Sequence, residues 1–295
     1  MIPPRVILAA VDFSGPSQVA LDFAARLARH AGAALHVLHA EDPLLAAAAQ
    51  HAGIALADET REELERFVDA TVRAGGPLHV HYHVVSGTGT SAICHASTRE
   101  RADVIVMGMH GMSGPALAVF GSTTDGVLRR SDSSVLAVPD AWRPPRPDVS
   151  DLSGLGPVVA AVEGAEPSLQ SAAAACRLAA LLDTEVDLVH MVPETRVPAR
   201  WRAHAESALA QRLEDARHEL APLVTALDAR VPVRLRVEPG QVAPGIAAAA
   251  TVPGRSPMLV LGRRGERNQL GAPGATAFRV LALAQVPVLV HLPDA

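Results

Sequence analysis

The chain is written twice, and this duplication restricts its fold more than any other feature. Val6-Ile-Leu-Ala-Ala-Val-Asp12 and Pro157-Val-Val-Ala-Ala-Val-Glu163 are apolar runs closed by an acid, displaced by 151 residues. Asp103-Val-Ile-Val-Met-Gly108 and Pro257-Met-Leu-Val-Leu-Gly262 repeat at a displacement of 154, and Val135-Leu-Ala-Val138 and Val288-Leu-Val-His291 at 153. Three anchors with nearly one offset mean a duplicated unit of about 140 residues, an ordinary domain size. Between the copies runs Trp142-Arg-Pro-Pro-Arg-Pro, whose prolines can neither continue a helix nor enter a central strand. The expected organisation is a first domain over 1–141, a Pro-rich linker over 142–155 and a second domain over 156–295. So short a tether holds the copies at high effective concentration, which predicts an intramolecular pseudo-dimer and leaves a homodimer of such chains open.

In the first copy, continuous apolar runs at 5–11, 34–40, 78–85, 103–107 and 134–138 alternate with helical patterns at 17–31, 58–74, 90–101 and 121–130. The second copy has runs near 157–162, 185–191, 231–237, 257–261 and 287–291, with helices near 167–182, 202–227, 243–250 and 275–284. Unbroken apolar runs are strands buried on both faces, and their alternation with helices marks a parallel sheet covered on both sides. The fold class is therefore α/β. Apolar residues are 49% of the chain and aromatics only 3%, so Ala, Val, Leu and Ile must build the interior.

Composition also excludes functions. A net charge of −5 supplies no basic face for counterion release, so nucleic acid is not an expected partner. All 26 Lys+Arg residues are arginine, which rules out a lysine-dependent P-loop and a lysine Schiff base. Cys94 and Cys176 have no Cys or His neighbour at a ligand spacing and read as buried small hydrophobes, a redox role being the alternative. The N-terminus lacks the order of a signal peptide, and no apolar run is long enough to span a bilayer; a cytoplasmic protein without membrane association is expected.

The chemistry-bearing stretch follows the fourth apolar run. Gly108-Met-His-Gly111 leaves a strand, and Gly121-Ser122-Thr123 opens a helix. Glycines there allow close approach to a ligand, and a Gly-Ser-Thr helix start offers amides and hydroxyls to an anion. The same residues also suit a plain strand-to-loop turn with Ser122 as an ordinary cap.

The spacing Gly-x2-Gly-x9-Gly-Ser, made by Gly108, Gly111, Gly121 and Ser122, resembles the ATP-binding signature of universal stress proteins. Other landmarks follow in the family's order: Val11-Asp12-Phe13-Ser14, Leu38-His39-Ala40, Gly87 with Ile93, and the run from Asp103 to Gly108. The resemblance covers the whole chain, twice. It implies two doubly wound, adenine-nucleotide α-hydrolase-like domains, each a five-stranded parallel sheet of order 3-2-1-4-5. Ligands of such sheets bind where the strand order reverses, here beyond Asp12 and Gly108. By similarity, Val11, Asp12, Ser14 and Ala40 address the adenosine end of ATP. Gly108, His110, Gly111, Gly121, Ser122 and Thr123 hold ribose and phosphates, with phosphate charge met by amides, the helix terminus and a hydrated Mg²⁺.

The second copy departs from this pattern. Gly262 and Gly265 are in place, but Ala275 and Thr276 stand where the third glycine and its serine belong, and taking Gly274 instead shortens the spacer to eight. Glu163 lengthens the acid and Pro257 replaces Asp103. A degenerate site is expected, formed at most by Glu163, Gly262, Gly265, Gly274 and Thr276. Arg263 and Arg264 could meet phosphate charge or form a solvated loop.

His79, His81 and His83 alternate on the third apolar run and so share a face, but edge strands commonly carry polar side chains and no metal ligands are assigned. Residues 44–65 begin Ala-rich and turn acidic, a solvated helix face or a surface for an unidentified protein partner. No catalytic set converges on the crevice. The expectation is an ATP-binding stress-response or signalling module, at most a slow ATPase, with a non-nucleotide structural dimer as the alternative.

Overall fold

A computed structural model of the chain describes residues 3–72, 75–111, 121–194, 197–227, 230–263 and 274–293. The first unit runs to Gly154. It is organised on β1 (Val6–Val11), buried at every position after its first. A strand apolar on both faces needs cover on both and a partner on each edge. β2 (Ala34–Glu41) and β4 (Val104–Gly108) supply the edges in parallel, with Val6 opposite Ala34 and Ile7 opposite Val104. β3 (Val80–Ser86) adds outside β2 and β5 (Ser134–Val138) outside β4, giving the order β3-β2-β1-β4-β5. The reversal between β1 and β4 leaves a crevice at their carboxyl ends. Asp103 fastens this register, its carboxylate accepting the amides of Arg5 and Val6 at 2.7 and 2.9 Å.

The connecting helices follow from local signals. α1 (Gly15–Ala31) starts at Ser14, whose hydroxyl accepts the Ser17 amide at 3.2 Å, has Pro16 in its first turn and ends at Gly32 with φ 66°. Ala20, Leu21, Ala24, Leu27 and Ala28 form its buried face at helical spacing. Between β2 and β3 the structure holds two helices, α2 (Pro43–His51) and α3 (Leu56–Val72), where the pattern predicted one beginning at 58. Asp42 caps α2 by accepting the Leu44 amide at 2.7 Å, and Gly53 at φ 70° separates the pair. α4 (Gly89–Arg99) and α5 (Ser122–Arg130) complete the unit.

The Pro-rich segment after β5 is laid against α1. Trp142 is buried and meets Phe23 edge-on at 4.9 Å, while Arg26 and Arg29 donate to the carbonyls of Val149 and Ser150.

The second unit begins at Leu155. Its elements are β6 (Leu155–Ala161), α6 (Ala165–Leu181), β7 (Val186–Val192), α7 (Arg202–Ala226), β8 (Val233–Pro239), α8 (Val242–Ala249), β9 (Ser256–Gly262), α9 (Ala275–Leu283) and β10 (Val288–His291). The strands are parallel in the order β8-β7-β6-β9-β10, the first unit's topology again. The repeat extends to individual bonds: His39 Nδ1 lies 3.0 Å from the Val11 carbonyl, and His190 Nδ1 lies 2.9 Å from that of Val162. Among the described residues, no helix is long and apolar enough to cross a membrane.

Candidate functional site

The site is built first from the turn that leaves β1. The Asp12 amide donates to Ser17 Oγ at 3.3 Å, and Asp12 Oδ1 accepts both the Ser14 amide, at 3.1 Å, and the Ser14 hydroxyl. Phe13 takes φ 62°, a left-handed conformation unusual for a side chain of that size. Its ring packs on His39 at 4.4 Å and edge-on to Phe67 at 5.5 Å. The strained turn aims Asp12 at the neighbouring loop, and the Val11 carbonyl beside it already engages His39.

The second wall is the neck of the loop that leaves β4. The Met109 amide donates to the Val138 carbonyl at 3.0 Å, and the Gly121 amide donates to the Met109 carbonyl at 3.0 Å, joining the two ends of the loop. Thr124 Oγ1 donates to the Gly108 carbonyl at 2.9 Å and ties the start of α5 to the end of β4. Two glycines stand close to their neighbours. A Cβ at Gly111 would stand 2.6 Å from Asp12 Oδ2, and one at Gly108 would stand 3.0 Å from the His110 carbonyl and 3.2 Å from that of Pro16. A Cβ at Gly121 would meet only ordinary contact, 3.5 Å from the Gly111 amide nitrogen. Ser122 and Thr123 open α5 beside this neck, where a helix leaves amides unpaired by its own backbone.

Val11, Asp12, Ser14, Gly108, His110, Gly111, Gly121, Ser122 and Thr123 are thus gathered at the carboxyl ends of β1 and β4, with Ala40 one strand away at the end of β2. His110 is held outward by an acid absent from the sequence-based set, its Nδ1 3.2 Å from Asp140 Oδ2. Both side chains are about half exposed, at 40% and 45%. Sequence reasoning also passed over Thr124 and Glu41. Glu41 follows Ala40, is buried, and its Oε1 has no hydrogen-bond partner among the described residues. An acid ending an apolar run beside the crevice was the available signal.

The corresponding place in the second unit keeps two of these hydrogen bonds. The Glu163 amide donates to Ser168 Oγ at 2.9 Å as Asp12 does to Ser17, and the Arg263 amide donates to the His291 carbonyl at 2.9 Å as Met109 does to Val138. Gly262 ends β9, where a Cβ would touch Ser171 at 3.2 Å. Gly274 caps α9 with nothing among the described residues within 4 Å of an added Cβ, and Thr276 is exposed. Arg263, expected in a solvated loop, is only 7% exposed because it occupies the inward position held by Met109 in the first unit. Gly265 and Arg264 lie outside the described residues.

A doubly wound parallel sheet with a glycine-necked loop facing the acid at the end of its first strand defines a class of nucleotide-binding-type α/β folds. The family model described as the universal stress protein family matches residues 4–139 and again 155–291, and the chain belongs to that family. The structure is similar to that of a universal stress protein from Archaeoglobus fulgidus DSM 4304, with TM-score 0.66 and 18% identity over 98% of each chain. It is also similar to a putative universal stress protein from Pseudomonas aeruginosa UCBPP-PA14, with TM-score 0.57 and 21% identity over 99% of this chain and 94% of that one. No curated protein matches the chain.

Proposed function

We propose that the first unit binds an adenine nucleotide, ATP with Mg²⁺ by preference, as a stress-response or signalling module rather than as a catalyst. The observation that carries this reading is the contact of Gly111 with Asp12, where a single Cβ would intrude on the carboxylate at 2.6 Å. Backbone brought that close to a strand-end acid, at the reversal of strand order, gives a lining of amides where a ribose and its phosphates fit. Asp12, Ser14 and the backbone of Val11 and Ala40 take the adenosine end. Gly108, His110, Gly111, Gly121, Ser122 and Thr123 take the ribose and phosphates. Mg²⁺ enters with the phosphates, largely hydrated, and adds charge neutralisation to that of the amides and the helix terminus.

The second unit, from 156 onward, is a partner domain to the first, 1–141, with a degenerate site at Glu163, Gly262, Gly265, Gly274 and Thr276. Its departures from the first unit are the longer acid Glu163 and the spacer of eight that ends at Gly274. The pairing of the halves within one chain, and any homodimer built from it, belongs to the same proposal.

Calorimetric titration with ATP and Mg²⁺ tests the reading, repeated on Asp12→Ala. Micromolar binding that weakens about ten-fold or more in the variant, as loss of a charge-assisted hydrogen bond predicts, supports it. Failure of ATP to bind, or undiminished binding by Asp12→Ala, sinks it.

A further inference from the structure

At the other end of the first sheet, away from the crevice, two imidazoles and a carboxylate meet. His36 on β2 stands opposite His81 on β3, and His83, two residues on, faces the same side. The helix packed over that side of β2 is α4, and Glu100 follows its last residue. His36 Nδ1 lies 3.0 Å from His83 Nε2 and 3.6 Å from Glu100 Oε2, and one ligand atom from each of the three residues falls within 4.8 Å of the others. With ring centroids 5.1 Å apart, planes 14° apart and nitrogens at 3.0 Å, the rings meet edge to edge rather than face on face. His36 Nδ1 and His83 Nε2 share one hydrogen bond, whose proton an incoming metal ion displaces.

We infer that His36, His83 and Glu100 form a binding site for a transition-metal ion of the zinc class. Bonds of about 2.0–2.1 Å at tetrahedral angles place ligand atoms about 3.3 Å apart, so the observed 3.0 and 3.6 Å bracket the edge of such a polyhedron. Two imidazoles and one carboxylate select zinc, cobalt, nickel or copper over magnesium or calcium, which require oxygen ligands. The three side chains are already gathered. His36 is only 9% exposed, and Glu100, at 22%, leaves the entry side accessible. His81, exposed and with its ring 4.5 Å from His36, stands ready as a further nitrogen. Arg99 is the competitor. Its Nε donates to Glu100 Oε1 at 2.7 Å, and its Nη2 lies 3.4 Å from His83 Nδ1, so the ion must displace a largely exposed guanidinium.

The duplicated unit contains its own control. At the matching positions Asp187 stands for His36, Arg234 for His81 and Arg236 for His83, with Arg236 Nη1 3.6 Å from Asp187 Oδ2. One copy of the scaffold places an ion pair there, and the other a set of metal ligands. The spacing along β3 alone does not reveal this, because the partners of His83 come from another strand and a helix end.

Titration of the metal-free full chain with Co²⁺, followed by visible absorption and by displacement with Zn²⁺, tests the site. The expected result is one Co²⁺ per chain with tetrahedral-type bands, displaced by Zn²⁺, weakened about ten-fold or more by His36→Ala or Glu100→Gln and strengthened by Arg99→Ala. Circular dichroism checks the fold of each variant, and Glu100→Gln, at a partly exposed position, serves if His36→Ala unfolds. Co²⁺ and Zn²⁺ that fail to bind, or binding indifferent to both His36→Ala and Glu100→Gln but lost on replacing the exposed His204 and His218, would overturn the assignment.

Discussion

At the residue scale, glycines that look alike in the sequence differ in what surrounds them. Gly111 abuts Asp12 Oδ2, whereas Gly274, the counterpart of Gly121, abuts nothing within 4 Å among the described residues. Gly111→Ala must therefore move either the acid or the neck, and it is expected to lower ATP affinity about ten-fold or more while stability falls by no more than about 1 kcal/mol. Gly274→Ala should leave binding unchanged. Calorimetry gives the affinities and urea unfolding the stabilities; equal binding by the two variants would show that the neck does not touch the nucleotide. The spacing pattern holds both as parts of one loop motif, because it records position along the chain and not the approach of Asp12 from another strand. Arg263 teaches the same lesson from the other side: next to a second arginine and a glycine it reads as solvated, yet its backbone bond to His291 turns it inward.

At the scale of elements, strands were the legible part. An unbroken run such as Val6–Val11 has one physical solution, burial on both faces, and the strand order followed from the resemblance and was met in both units. α2 was not legible as a separate helix, since Leu44 to Ala49 carries no apolar periodicity and only Asp42 and Pro43 mark its start. The segments that lead into strands also carry charges whose partners are remote in sequence. Glu185, just before β7, binds Arg255, just before β9, and this hydrogen bond holds the Glu185 carboxyl below its ordinary range. A lowered folded-state pKa stabilises the fold above the unfolded-state value of about 4.3, and the contribution disappears as pH falls through the lower folded-state value. The side chains are 24% and 43% exposed, so solvent screening reduces the gain to under about 1 kcal/mol. Glu185→Gln is thus expected to unfold at slightly lower urea than the parent at pH 7, and at the same urea concentration at pH 2. A deficit that persists at pH 2 would mean the glutamate acts through packing instead of charge.

At the scale of the whole chain, duplication has preserved a backbone and diversified what it carries. The amide bonds to Ser17 and Ser168, and the histidine bonds to the carbonyls ending β1 and β6, recur almost unchanged. Side chains at the proposed ligand positions differ: Asp12 against Glu163, and His36 with His83 against Asp187 with Arg236. Side-chain bonds that satisfy the amide and carbonyl at the end of a central strand are needed in every copy, while a ligand site is needed only once per chain. One adenine nucleotide per chain is the expected stoichiometry. Hydrogen exchange with and without ATP and Mg²⁺ should then show slower exchange in peptides covering Val11–Ser14, Ala40–Asp42 and Gly108–Asp125, because a ligand that binds only the closed state suppresses local opening around it. Peptides covering Glu163–Ser171 and Gly274–Ala277 should exchange at the ligand-free rate. Two equivalents of nucleotide, with protection of equal size in both sets of peptides, would mean that Glu163 and the shortened spacer of the second unit serve a nucleotide as well as their counterparts in the first.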